Sequence, residues 1–155
     1  MKIFLAADHA GLSLKDEVKR WLKSSGYVVQ DEGPFEADPD DDYPDFVRVA
    51  AQGVAANPEE DRGLIFGGSG QGEAMVANRF RNVRAAVYYG GTEKIITLSR
   101  EHNNANILSF GARFVTDDQA KEAIKLWLET PFIGEERHAR RIMKIDNPPP
   151  SSYEF

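Results

Sequence analysis

Short apolar runs alternate along the chain with longer segments in which apolar residues recur every three or four positions. The runs are rich in Val, Ile and Phe, as buried parallel strands tend to be, and the longer segments have the period of amphipathic helices. This alternation predicts an α/β domain made of βαβ units around one parallel sheet. Five strands are predicted, over Lys2–Ala7, Tyr27–Asp31, Gly63–Phe66, Arg84–Tyr88 and Asn106–Phe110.

Helices are predicted in the gaps between these strands. The first has an apolar face formed by Leu14, Val18, Trp21 and Leu22. Ser13 with Asp16 predicts a capping box at its start, and Gly26 marks its end. Thr116 with Gln119 predicts the same box on a later helix. Further helices are predicted over residues 44–56, after Gly72, after Thr92, over residues 117–128, and from beyond Gly134 to about Lys144.

The 155 residues fit a single domain that is long enough to bury a core, and no repeat or linker divides them. One domain is therefore predicted over residues 1–146, followed by a proline-rich tail over residues 147–155. The acidic segment Glu36–Asp42 has prolines nearby and no periodicity, so it is interpreted as a surface loop. A metal site in that segment is the weaker interpretation.

Composition narrows the classes of function. The formal charge of −6 argues against a broad basic face for nucleic acid or anionic lipid, so an anionic ligand must be met by a local cluster of cations. The chain has no cysteine, which excludes disulfides, thiolate metal sites and a cysteine nucleophile. The first residues, Met1–Ala7, run directly into the first predicted strand and have neither a signal-peptide layout nor an apolar run of membrane length. A cytoplasmic location is therefore expected.

Ligands of open α/β sheets gather at the carboxyl ends of the strands. Three segments are the candidate parts of such a site: Asp8-His9 after the first strand, the loop Gly67–Glu73 after the third, and Arg100–Asn104 before the fifth. All three are expected to contribute to one site.

The glycine loop resembles three phosphate or nucleophile motifs and fails each of them. Glu73-Ala74 replaces the Lys-Ser/Thr pair of a nucleotide-binding P-loop, and the G-x-G-x-x-G pattern of dinucleotide sites is absent. Gln71 stands where a nucleophile elbow needs glycine, which argues against an acyl-enzyme through Ser69. The loop still offers accessible backbone amides at a helix start, with a hydroxyl and a carboxylate beside them, which suits an oxyanion paired with a base. The alternatives are that the glycines only permit close packing and that Glu73 only caps a helix.

His9, His102 and His138 are the only histidines, and no pair has the spacing of a zinc site. His9 directly follows Asp8, and His102 precedes two asparagines at the start of an apolar strand. Both are candidates for proton transfer near neutral pH, although either could be an ordinary surface or core histidine.

Arg137 and Arg141 are four residues apart and share a helix face, so their guanidinium groups can meet one phosphate. Arg113, just after the fifth strand, could join them from the end of the sheet. The alternative is a solvated, charged helix without a ligand.

These segments, taken together, resemble one known family. The matching motifs are Ala7–Gly11, Tyr43–Asp45, Gly67–Glu73 with Ala77-Asn78, His102–Asn106, Phe110–Arg113, and Arg137-His138 to Arg141. Their types and order are similar to those of the ribose-5-phosphate isomerase B family, which includes the galactose-6-phosphate isomerase subunits. The similarity extends over nearly the whole chain, to about Ile145.

The resemblance implies a flavodoxin-like, three-layer fold with an extra C-terminal helix. It also implies a homodimer, with a tetramer as the alternative, in which active sites are shared between subunits. It implies interconversion of ribose 5-phosphate and ribulose 5-phosphate through an enediolate, with no metal and no cofactor. A tetrose or hexose phosphate is the alternative substrate. A non-catalytic sugar-phosphate-binding module and an FMN protein remain as different classes of function.

Many members carry a cysteine base where Gly67 stands, and another branch, which this sequence resembles, has Gly-Gly-Ser-Gly before a glutamate base. By that resemblance Glu73 moves the proton between C1 and C2, Ser69 and the neighbouring amides stabilise the enediolate, and His102 and Asp8 open the sugar ring. Substrate contacts are expected from His9, Tyr43, Gly68, Gly70, Gln71, Gly72, Asn103, Arg113, Arg137, His138 and Arg141. Whether the helix start lowers the basicity of Glu73 or enclosure raises it is left open by the sequence.

Overall fold

Five parallel strands form the central sheet of the computed structural model, which describes residues 1–148. The strands are β1 (Lys2–Ala7), β2 (Val28–Asp31), β3 (Arg62–Gly67), β4 (Ala85–Tyr88) and β5 (Ile107–Gly111). Each predicted strand is confirmed to within one residue at either end. The predicted burial is wrong for β2, where Val28 is 61% exposed. The reason is that β2 forms an edge of the sheet and has one neighbour only.

The strand order is β2-β1-β3-β5-β4. The parallel three-layer architecture confirms the flavodoxin-like prediction, but the last two strands are exchanged relative to the flavodoxin order. As a result β5 lies between β3 and β4, and Gly67 at the end of β3 is level with Gly111 at the end of β5. This register brings the loop after β3 beside the residues that follow β5.

Six helices surround the sheet in the described part of the chain. They are α1 (Leu12–Ser24), α2 (Tyr43–Ala56), α3 (Gln71–Ala77), α4 (Lys94–Glu101), α5 (Asp117–Glu129) and α6 (Glu136–Asp146). Apolar residues of α1, α4 and α5 form the core on one face of the sheet, and those of α2 and α3 form the core on the other. No helix within residues 1–148 is long and apolar enough to cross a membrane.

Two of the three predicted helix ends are confirmed, those at Thr116 and at Gly26. The capping box on α5 is confirmed, because the Gln119 amide donates to Thr116 Oγ1 at 3.2 Å and the Thr116 amide donates to Gln119 Oε1 at 3.0 Å. Gly26 ends α1 with φ +85. The capping box predicted from Ser13 and Asp16 is wrong, since α1 begins after Gly11 and has no side-chain cap.

The predicted tail over residues 147–155 starts where α6 ends. Asn147 follows the helix directly, and its amide donates to the Met143 carbonyl at 3.0 Å. The rest of the predicted tail, from residue 149 onwards, lies outside the described residues. The division between domain and tail therefore stays a prediction.

Candidate active site

The loop from Gly67 to Glu73 is fixed to β5. Gly70 has φ +75, a conformation that glycine adopts without strain, and a Cβ built there would lie 2.7 Å from the Phe110 carbonyl carbon. Ser109 Oγ on β5 donates to the Gly70 carbonyl at 2.6 Å. Gly70 therefore permits close packing of the loop against β5, which is the alternative that the sequence analysis gave for the glycines. The same packing turns the loop into the first turn of α3, where unpaired backbone amides are available.

The Glu73 side chain turns back toward the end of β3. The residue is 3% exposed, and a Cβ built on Gly67 would overlap its carboxylate. Burial raises the pKa of Glu73, and the nearby carboxylates of Asp8 and Asp41 act in the same direction. These effects outweigh the opposing hydrogen bond from its own backbone amide. Burial and the two neighbouring carboxylates therefore shift the pKa of Glu73 upward in this chain.

Asp8 and His9 follow β1 and reach the same end of the sheet. The Gly11 amide donates to Asp8 Oδ1 at 2.8 Å, so Asp8 supports the turn into α1. His9 Nδ1 lies 2.8 Å from Asp41 Oδ1, and this hydrogen bond is the main reason why the pKa of His9 is raised. Coulombic attraction to Asp41 and Asp8 adds to that shift.

Asp41 is a residue of the site that sequence reasoning missed. Its side chain is 5% exposed, although it belongs to the acidic segment interpreted as a surface loop. Most of that segment is exposed, as predicted, and Asp41 is the exception. The only signal in the sequence was its place just before the Tyr43–Asp45 motif. That place does not show which aspartate of the run turns inward.

Tyr43 and Arg113 approach the glycine loop from α2 and from the segment after β5. A Cβ built on Gly72 would lie 2.6 Å from the Tyr43 hydroxyl, and one built on Gly68 would lie 3.2 Å from Arg113 Nη1. The Arg113 side chain is exposed, so its charge is available at the surface. We call this group the Glu73 cluster, and it consists of Asp8, His9, Asp41, Tyr43, Gly67–Glu73 and Arg113.

A second group lies where α4 ends and α6 begins. The rings of His102 and His138 stack with 4.2 Å between centroids and 13° between planes. His138 is buried, and burial lowers its pKa, with the charges of His102 and Arg137 acting in the same direction. A neutral His138 can stack on His102 without repulsion between two cations. We call this group the His102 cluster, and it consists of His102, Asn103, Arg137, His138 and Arg141.

Within one chain, the two clusters lie at opposite ends of the strands. The Glu73 cluster follows the carboxyl ends of β1, β3 and β5, whereas His102 precedes the amino end of β5. The length of β5 separates these edges, which is about 16 Å at roughly 3.3 Å per residue. The expectation that all three candidate segments meet at one edge is therefore wrong for a single chain. The reason is that the connection from α4 enters the sheet at its amino edge.

Two buried arginines hold the turn that carries His102. Asn104 has φ +44, and its side chain and carbonyl both accept hydrogen bonds. Arg100 Nη1 donates to Asn104 Oδ1 at 2.8 Å, and Arg84 Nε donates to the Asn104 carbonyl at 3.1 Å. Arg84 also pairs with Asp146 of α6 at 2.7 Å. Arg84 thereby connects the His102 turn to the helix that carries His138, a link that the sequence did not predict.

A groove along α3 and the exposed side of β4 connects the two edges. A cavity of ≈ 500 Å³ at one end is lined by Gln71, Met75 and Val87, among others. A smaller cavity of ≈ 220 Å³ is lined by Asn78 and Asn103, among others. Met75 is 63% exposed in this groove. Among residues 1–148, no three His, Asp or Glu side chains are arranged to hold one metal ion.

Comparison with known proteins gives a family and close relatives. The profile of the Ribose/Galactose Isomerase family matches residues 3–145. Probable ribose-5-phosphate isomerase B of Mycoplasma genitalium is 42% identical over 143 residues, which cover 92% of each chain. Ribose-5-phosphate isomerase B of Mycobacterium tuberculosis H37Rv is 38% identical over 142 residues, covering 92% of this chain and 86% of that one.

Solved structures agree with these sequence relatives. The M. genitalium enzyme with bound ribulose-5-phosphate superposes with a TM-score of 0.88 and 41% identity, covering 94% of this chain and 93% of that one. The Thermotoga maritima ribose 5-phosphate isomerase superposes with a TM-score of 0.86 and 40% identity, covering 94% and 97% of the two chains.

Proposed function

The chain belongs to the ribose/galactose isomerase family as a ribose-5-phosphate isomerase of type B, and we propose that it works through an enediolate, with Glu73 as its base and without a metal ion. Its substrate pair is ribose 5-phosphate and ribulose 5-phosphate, in line with the names of its relatives and with the ligand of the M. genitalium structure. A cytoplasmic location stays a prediction.

One observation carries the proposed mechanism: the buried Glu73 carboxylate lies against Gly67, at the start of the amide-bearing loop. Isomerisation removes a proton from a carbon beside a carbonyl, so it needs a base and a donor for the developing oxyanion. A positioned base gives about 10²–10⁴-fold, and one oxyanion donor about 10²–10³-fold. A single short loop supplies both. The raised pKa of Glu73 brings it closer to the value that suits a base near neutral pH.

The steps follow from the atoms that must move. Glu73 takes the proton from C2 of the open-chain aldose, and the electron pair moves into an enediolate that the amides of Gly70–Gly72 and the Ser69 hydroxyl stabilise. Glu73 then returns its proton to C1, while the hydroxyl proton passes from O2 to O1. Asp8 and His102 assist the preceding ring opening. Contacts to the phosphate and the hydroxyls come from His9, Tyr43, Gly68, Gln71, Gly72, Asn103, Arg113, Arg137, His138 and Arg141.

A second copy of the chain completes the site in this proposal. The Glu73 and His102 clusters lie at opposite edges of one protomer, and the groove with the exposed Met75 runs between them. A twofold axis across this groove brings the His102 cluster of each copy to the Glu73 cluster of the other. The two copies would thus form two equivalent sites, each with the base from one chain and the arginine pair of α6 from the other.

The experiment that tests the substrate is a panel of four-, five- and six-carbon aldose phosphates. We expect kcat/KM to be highest for ribose 5-phosphate, since pocket depth sets the chain length that fits. A higher value for a tetrose or hexose phosphate would change the substrate and leave the chemistry intact. Binding of sugar phosphates without turnover of any of them would instead identify a non-catalytic module and overturn the proposed function.

A further inference from the structure

Asp41 combines three features that a surface aspartate does not have. Its side chain is 5% exposed, and its Oδ1 lies 2.8 Å from His9 Nδ1. Its Oδ2 is buried and has no hydrogen-bond partner among the described residues. A buried carboxylate oxygen without a donor is unfavourable by about 1–3 kcal/mol or more. The burial of Asp41 therefore needs a reason other than packing.

The charges around His9 provide that reason. The carboxylates of Asp8 and Asp41 raise the pKa of Glu73 and also raise the pKa of His9, so three carboxylates and one imidazole are gathered at this end of the site. Arg113 is the only permanently charged cation of this cluster. With a neutral His9, the carboxylates would give this end of the site an excess of negative charge and would repel a phosphate. With an imidazolium at position 9, two cations face the anionic substrate.

We propose that Asp41 is a positioning residue for His9: it holds the imidazole as a cation, with Nδ1–H toward Asp41 and Nε2–H toward the anionic end of the substrate. The inference rests on the proposed function for the identity of that substrate. The His9 side chain is 36% exposed, so its second nitrogen is accessible while its first is held. This use of a carboxylate to fix one ring nitrogen and present the other is a general property of histidine sites.

The groups that face His9 come from three elements. Asp8 precedes it after β1, Asp41 contacts it from the loop before α2, and Arg113 approaches from the segment after β5. Only Arg113 and burial oppose protonation of the ring, and the hydrogen bond to Asp41 is the largest single influence. Removing the charge of Asp41 should therefore have a larger effect on His9 than removing any other charge of the cluster.

The first test is a titration of His9 in the ligand-free protein, followed by NMR of the ring protons. His9→Gln identifies the signal by its loss. We expect His9 in the unmodified chain to titrate above the ordinary histidine value, Asp41→Asn to lower its pKa, and Asp40→Asn, an exposed neighbour with the same change of charge, to leave it unchanged. A wild-type His9 that titrates at or below the ordinary value would overturn the inference, even if Asp41→Asn failed to fold.

The second test is binding of inorganic phosphate, measured by calorimetry, so that no turnover is needed. We expect Asp41→Asn to weaken phosphate binding by about tenfold, the size of one charge-assisted hydrogen bond. In the His9→Gln background, Asp41→Asn should have no further effect, because Asp41 acts through His9. An equal loss in both backgrounds, or no loss in either, would contradict the positioning role. Because neither measurement uses turnover, a failure of the proposed isomerase activity would appear in the substrate panel and not here.

Discussion

The carboxylate of Glu73 occupies the space in which a side chain at position 67 would lie. Gly67 ends β3, and Glu73 lies in the first turn of α3, so the loop between them folds back on itself. The family resemblance of the sequence implies a cysteine base at this position in other members. The glutamate thus reaches the space beside position 67 from the other end of the loop.

Gly67→Ala should displace the Glu73 carboxylate, since the added methyl group would overlap it. We expect kcat to fall by about 10²-fold or more, within the range for loss of a positioned base, with a smaller change in KM. Steady-state kinetics checks this. The control is the same substitution in the Glu73→Gln background, where no further loss of kcat is expected; an additional loss there would show that Gly67 matters for another reason.

Glu73→Gln should stabilise the fold near neutral pH. The folded-state pKa of Glu73 is raised by burial, so the folded protein holds its proton more tightly than the unfolded chain does. Stability therefore falls as pH rises from the ordinary glutamate value, about 4.3, to the raised value in the folded state. Thermal unfolding at neutral pH should show a higher Tm for the variant, and the difference should shrink as pH falls below about 4. Glu60→Gln, at an exposed position, is the matched control and should show no difference.

Asp146→Asn should loosen α6 from the domain. Asp146 is the charged partner of Arg84, and their side chains are 15% and 7% exposed. Removing one charge of a buried pair leaves the other uncompensated, so we expect a loss of about 1–3 kcal/mol in the free energy of unfolding. KM should also rise, because α6 carries Arg137 and Arg141. Arg20→Gln breaks an ion pair in which Arg20 is 70% exposed, and it should change both quantities little.

Mixing two variants that are each defective in a different cluster tests whether the site is shared between copies. Glu73→Gln and Arg141→Ala alter different clusters, so a mixed dimer has one site with both defects and one with neither. After the two variants are unfolded and refolded together, random pairing makes about half of the dimers mixed, and each mixed dimer has one intact site of two. The mixture should therefore recover about one quarter of wild-type activity. Glu73→Gln mixed with Ser69→Ala should recover none, since both changes lie in the same loop. Recovery in neither mixture would place the whole site within one chain.

The sequence predicted those features that depend on local pattern. The ends of all five strands, the capping box of Thr116 and the loop from Gly67 to Glu73 were identified from periodicity and residue type. The exchange of β4 and β5 could not be predicted in this way, because a βαβ pattern gives the order of strands along the chain and not their neighbours in the sheet. The place of His102 has a different cause: a parallel strand is entered at its amino end, so the turn before β5 lies at the opposite end of the strands from the loop that follows β3.

Asp41 shows a second limit. It belongs to a run of aspartates without periodicity, and such a run does not show which side chain turns inward. Only the tertiary contact with His9 distinguishes it. The basicity of Glu73 was undecided for a related reason, since the opposing effects of burial and of the helix start depend on how closely β3 and the neighbouring carboxylates pack around it.

The most direct test of the account is exchange of substrate hydrogen with solvent. Ribose 5-phosphate incubated in D₂O with the wild-type protein should incorporate deuterium at the carbons that exchange the proton, C1 and C2, as observed by NMR. Glu73→Gln should slow this incorporation by about 10²-fold or more while inorganic phosphate still binds. Incorporation at the wild-type rate in Glu73→Gln would contradict the assignment of Glu73 as the base.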